Sequence, residues 1–218
     1  MRSPLLLWFI IITSLHAQSL SRQDTKSLLA RIRERRTAAP DVHAEFQEQK
    51  TIHLLNKPVV SSGKIWFRAP NKFRREVVGS SPSTTVSNGR DLWIYYPNFK
   101  SAEHYMLGKR SPVDAVITAI NTALNLENVE STFEISAAKA GNGYELQLLP
   151  RSPSMKRMFQ RFDVRLNSDL AVDRTDMVQP NGDRVVTTYS DQTHSPIPAS
   201  TFEFKPPPET QTTNPLGR

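Results

Sequence analysis

The sequence predicts a mainly β chain of α+β type: an antiparallel meander accompanied by two helices. Three observations carry this. Two aromatic stretches, Gly63 to Phe73 and Ser87 to Asn98, each leave a glycine-containing turn, run through aromatic and branched residues and meet a Pro-Asn pair. Short connections rich in Gly, Pro, Asn and Ser separate the other β-like runs, whereas strands alternating with helices would need longer crossovers. Finally, alternation along 91–96 puts Leu92, Ile94 and Tyr96 on one face and Trp93 and Tyr95 on the other. A strand with apolar bulk on both faces must be covered twice or line a cavity.

The 218 residues read as one domain spanning 20–208, followed by a polar and mobile tail over 209–218. Residues 1–19 read as a signal peptide. Arg2 supplies charge, Leu5 to Ile12 form the apolar core and Ala17-Gln18-Ser19 resembles a cleavage site; cleavage after Ala17 is the alternative. Eight apolar residues fall well short of the roughly 20 that span a bilayer. Export to the periplasm is therefore expected. Without any cysteine the chain has no disulfides, thiolate metal sites or lipid-modified cysteine, and an exported domain must rely on its core. A net charge of +7 and a pI near 9.8 favour anionic partners without choosing among them.

Ser21-Arg22-Gln23-Asp24 resembles a capping box, and Leu28, Leu29 and Ile32 follow at helical spacing, which predicts a helix over 22–36. Its basic face is either solvated or a contact for a membrane or partner. Beyond Ala39-Pro40, Val42, Ala44 and Phe46 alternate with polar residues as a strand, and further strands are expected at 59–68, 72–79, 84–87, 91–96 and 102–107. Ser111-Pro112-Val113-Asp114 starts a second helix over 113–126 that is apolar on most sides. It is either plugged into the core or laid over a cavity. Strands resume at 131–137, 143–149, 157–166, 170–178 and 183–190, and Phe202-Glu203-Phe204 reads as a short closing strand before Pro206-Pro207-Pro208.

No catalytic constellation appears, so no enzyme activity, cofactor or metal is expected. There is no nucleophile elbow, H-E-x-x-H, Walker loop or dinucleotide fingerprint. His43, His53, His104 and His194 are scattered, and Asp173 and Asp176 stand an odd number of positions apart. The basic run Arg151, Lys156, Arg157, Arg161 and Arg165 fits a solvated strand face, and with the leader this argues against nucleic acid.

The aromatic stretches, with their surroundings, resemble the outer-membrane lipoprotein carrier family, the LolA-like periplasmic chaperones. The residues carrying the likeness are His43 to Gln49, where the family has an F-x-Q segment on its first strand; Gly63 to Phe73; Ser87 to Pro97; Tyr144 to Arg151; and Ile197 to Pro207, close to its ending P-x-x-x-F-x-F-x-P-P. They occur in the family's order across nearly the whole mature chain. The resemblance implies an unclosed antiparallel β-barrel whose concave hydrophobic face is covered by α-helices. It also implies a periplasmic carrier that takes the acyl chains of lipoproteins from an inner-membrane ABC transporter to an outer-membrane acceptor. Each buried methylene contributes roughly 0.8 kcal/mol, enough to hide acyl chains from water. The alternatives are a periplasmic lipid-binding sensor or interaction module on the same fold, or a carrier of a different lipid. A monomer is expected.

Two departures bear on lid control. Where the family has an arginine before the proline, this chain has Ala69, with Arg68 one position earlier and sent to the opposite face by alternation. Arg75 stands where an aromatic often follows the retained Phe73. Phe46, Trp66, Phe73, Leu92, Ile94, Val116, Ile117 and Ile120 are the expected cargo or lid contacts, with membership of the core as the alternative for each. Ile117→Glu separates the two: it weakens lipid uptake if the helix is a lid and unfolds the protein if it is core.

Overall fold

The computed structural model describes residues 18–108, 126 and 129–215. The helix expected over 113–126 thus lies outside the described residues except for Leu126, as do Val116, Ile117 and Ile120 and residues 1–17 of the expected leader.

The described strands are β1 (Gln18–Ser19), β2 (Asp41–Thr51), β3 (Val59–Arg68), β4 (Lys72–Val78), β5 (Ser83–Ser87), β6 (Asp91–Tyr96), β7 (Ser101–Met106), β8 (Phe133–Ala140), β9 (Gly143–Pro150), β10 (Arg161–Leu166), β11 (Val172–Val178), β12 (Arg184–Thr193) and β13 (Gln211–Thr213). They form one open sheet in the order β1-β8-β9-β10-β11-β12-β2-β3-β4-β5-β6-β7-β13. Every pairing is antiparallel except that of β13 with β7, which is parallel and begins with Gln211 beside Ser101. The stretch expected to be a mobile tail therefore contributes an edge strand. Lys100 helps to seat it, since its carbonyl accepts from Gln211 N at 2.8 Å.

The described α-helices are α1 (Arg22–Ala38), α2 (Val129–Thr132) and α3 (Pro153–Lys156). The expected start of α1 is present: Ser21 Oγ accepts from Asp24 N at 3.1 Å and donates to Asp24 Oδ2 at 2.6 Å. The apolar stripe of α1, Leu28, Leu29 and Ile32, packs with Phe133, Leu146, Leu148, Val164 and Leu166 into the main core. The part of the sheet formed by β8 to β10 is thus covered by α1, with Leu126, Val129 and Met155 completing the cluster.

The closing segment is not the strand expected at Phe202-Glu203-Phe204. Ala199–Phe202 is a 3-10 turn, after which the chain runs extended across the outer face of β3 to β6. Phe202 is fully buried there, and Phe204 lies 5.8 Å from Trp93 and 5.6 Å from Tyr95 between ring centres. Asp41 fastens this strap: its carboxylate accepts from Ile197 N at 2.8 Å and from Arg68 at 2.6 and 2.8 Å. Arg68 also donates to the Ile197 carbonyl and lies over the Phe202 ring.

Candidate functional site

Strand registers fix which side chains share the inner face. Ala44 pairs with Ile65, Val42 with Phe67, and Phe46 with Gly63 on one side and Tyr189 on the other. Phe73 continues the row opposite Phe67, then Ser87 and Leu92; Arg75 continues from Ile65 through Thr85 to Ile94. Because successive residues of a strand point to opposite faces, these rows form one surface on the side of the sheet that α1 occupies.

Between the C-terminal end of α1 and β2, β3, β11 and β12 this surface encloses a pocket of about 820 Å³, counting its open mouth. Val42, Ala44, Ile65, Phe67, Leu170 and Val172 supply its apolar wall, and Ala69 stands at its edge. Its lining is predominantly apolar with a few polar groups, the composition of sites that hold apolar ligands. The polar groups at its margin are Arg35, Arg36, Tyr189, Gln192 and His194. His194 is held by its Nδ1, 3.0 Å from the Asp41 carbonyl. Burial pushes the Tyr189 phenol above its usual range.

On the same face, Arg75 lies beside Phe46. Its guanidinium carbon lies 4.3 Å from the centre of the Phe46 ring, and its Nη2 donates to Glu48 Oε2 at 2.8 Å. Thr187 Oγ1 donates to the same carboxylate at 3.4 Å. Gly63 is required beside this group, because a Cβ there would sit 1.8 Å from the Glu76 carbonyl oxygen and 3.0 Å from the Phe46 ring. Toward β7, Tyr105 donates to Glu103 at 2.5 Å, and burial with that carboxylate pushes its phenol up to about 12. The inner face thus carries the Arg75–Glu48 ion pair beside Phe46 and an acidic group, Glu103, on β7.

The nominated residues divide by face. Phe46 and Leu92 are 3% and 2% exposed, while Phe73 and Ile94 are half-buried; all four lie on the inner face. None lines the pocket itself, although Phe46 follows Ala44 along the same row and Phe73 faces Phe67. Trp66 points the other way, stacking on His43 with ring centres 4.9 Å apart. The parity that separates Arg68 from Ala69 puts Trp66 with Arg68, on the outside. Missed by the sequence reading were Ile65, Phe67 and Val172 in the wall and Arg35, Arg36 and Tyr189 at the margin. Alternation around Trp66 would have found the first two, but α1 and β12 meet the wall only in three dimensions. Among the described residues no group of three or more His, Cys, Asp or Glu could hold a metal ion. No described helix is long and apolar enough to cross a membrane.

The family model for the outer membrane lipoprotein carrier protein LolA matches residues 38–205. An outer-membrane lipoprotein carrier protein from Edwardsiella ictaluri (strain 93-146) is 24% identical over 169 residues, covering 76% of this chain and 77% of the relative. One from Klebsiella pneumoniae (strain 342) is 26% identical over 167 residues, with the same coverage. Among solved structures, a LolA superfamily protein from Nitrosomonas europaea superposes with a TM-score of 0.46 at 13% identity, covering 82% of this chain and 97% of the other. The Mycobacterium tuberculosis lipoprotein LppX gives 0.44 at 12% identity, with 80% and 98% covered.

Proposed function

This chain belongs to the outer membrane lipoprotein carrier protein LolA family, and from that premise we propose that it is a non-enzymatic periplasmic carrier that shelters acyl chains on the inner face of its open sheet. The observation that carries this reading is the continuous apolar row of Val42, Ala44, Phe46, Ile65, Phe67 and Phe73, which opens into the pocket under α1. Burying a chain of a dozen methylenes there would contribute on the order of 10 kcal/mol before the cost of ordering it. Desolvation alone can hold such cargo, and no covalent step is needed. Phe46, Phe73, Leu92 and Ile94 are its contacts on the sheet; Val116, Ile117 and Ile120, outside the described residues, belong to the same proposal. An inner-membrane ABC transporter would load the carrier and an outer-membrane acceptor would unload it.

The test is native mass spectrometry of protein recovered from a periplasm without detergent. A bound diacyl or triacyl species supports carriage. An empty protein that also refuses added lipoprotein overturns it and favours an interaction module on the same fold.

A further inference from the structure

The pocket under α1 has an electrostatic asymmetry that acyl-chain binding alone leaves unused. No carboxylate lines it, while Arg35, Arg36 and His194 do. Arg35 has an acid within reach, Asp169 at 4.0 Å. Arg36 is different: the residue is half-buried, but its Nη1 is wholly buried and has no hydrogen-bond partner. Burial pushes the guanidinium down to about 10, so at neutral pH it remains a cation. An unpaired, desolvated cation is costly to keep, and a methionine or leucine at this point of an apolar wall would not incur that cost. What offsets it is an anion entering from the open side. Arg is well suited to that task, because its planar fork matches carboxylate and phosphate oxygens.

We propose that the pocket binds an anionic amphiphile, an acyl chain ending in a carboxylate or phosphate, whose head accepts hydrogen bonds from Arg36 while its chain runs over Ala44, Ile65 and Phe67 toward Phe46. The inference rests on the carrier reading, to which it adds the class of head group. It also separates this chain's cargo from a lipid whose head is neutral. Gln192 also lines the pocket; its Nε2 donates to the Val172 carbonyl at 2.7 Å and keeps a second N–H.

Equilibrium binding of tritiated palmitate and tritiated hexadecanol to the full protein tests it, because the two probes share a chain length and differ in charge. The wild type should hold palmitate at least about tenfold more tightly. Arg36→Gln should lose that preference with hexadecanol binding unchanged, and Arg36→Lys should restore part of it. The thermal midpoint of Arg36→Gln without ligand should not fall, since the substitution removes an unpaired charge; this shows that the variant is folded. Equal affinity for the two probes, or a preference that survives Arg36→Gln, overturns the proposal. Binding of a triacylated lipopeptide but of neither probe also overturns it and leaves the carrier reading standing, whereas failure of all three ligands removes both. A lysophosphatidate of the same chain length identifies the source: tighter binding than palmitate assigns a lipid phosphate, and weaker binding a free fatty acid, either of which upholds an anionic head.

Discussion

Asp41 joins three parts of the chain that are far apart in sequence: the start of β2, the end of β3 and the strap at Ile197. The Arg68 guanidinium, with the Ile197 amide, holds its carboxyl below the usual carboxylate range. Removing one partner from this part-buried pair leaves the other without its match, so Asp41→Asn should cost about 2 kcal/mol at pH 7. A carboxyl whose folded pKa is depressed stabilises fully above its unfolded value and loses that contribution as the pH falls through the folded one. The gap in urea midpoint between wild type and Asp41→Asn should therefore be widest above about pH 4 and close under stronger acid. A constant gap would mean that the ion pair contributes nothing beyond shape. At this scale the sequence was only partly legible. Parity placed Arg68 and Ala69 on opposite faces, as the structure has them, yet Trp66 was nominated for the cavity because both faces of β3 carry large side chains. Asp163, which alternates along β10 with Phe162 and Val164, is buried opposite Asp176 and titrates above its usual range, chiefly through that burial. Strand period cannot reveal which acids a neighbouring strand will bring face to face.

Elements bounded by their own turns were the most readable. β3 and β6 run over 59–68 and 91–96 as expected, since Gly and Pro-Asn signals act within a few residues of the strand they delimit. The closing stretch misled because Phe202 and Phe204 alternate as a strand would, although they lie across the sheet and join no ladder. Long-range geometry decides that, not local preference. The two sides of the sheet should respond differently to truncation. Phe202→Ala, which empties a fully buried site on the outside, should cost about 3–4 kcal/mol in urea unfolding with little change in palmitate uptake per folded molecule. Phe73→Ala on the half-buried inner face should do the reverse, lowering uptake several-fold for a smaller loss of stability. Trp66→Ala should leave uptake unaltered. If Trp66→Ala were the variant that abolished binding, the assignment of faces would be wrong.

At the scale of the molecule, the open sheet was legible through the ordered family motifs, but the placing of β12 beside β2 was not, because the partners lie more than 130 residues apart. The +7 charge was legible from composition alone, whereas the position of Arg36 under an apolar pocket required the packing of α1. The openness that makes a cavity accessible also leaves a sheet with two free ends, and each end is a template on which a second chain could add. Here one end is the two-residue β1, and the other is the three-residue β13, laid parallel over the six-residue β7. Chains cut after Pro208 should present β7 bare, and light scattering at raised concentration should then detect self-association that the full chain resists. On this view β13 acts as a guard against aggregation, and a sheet that stays open can remain dispersed only while that strand stays in place.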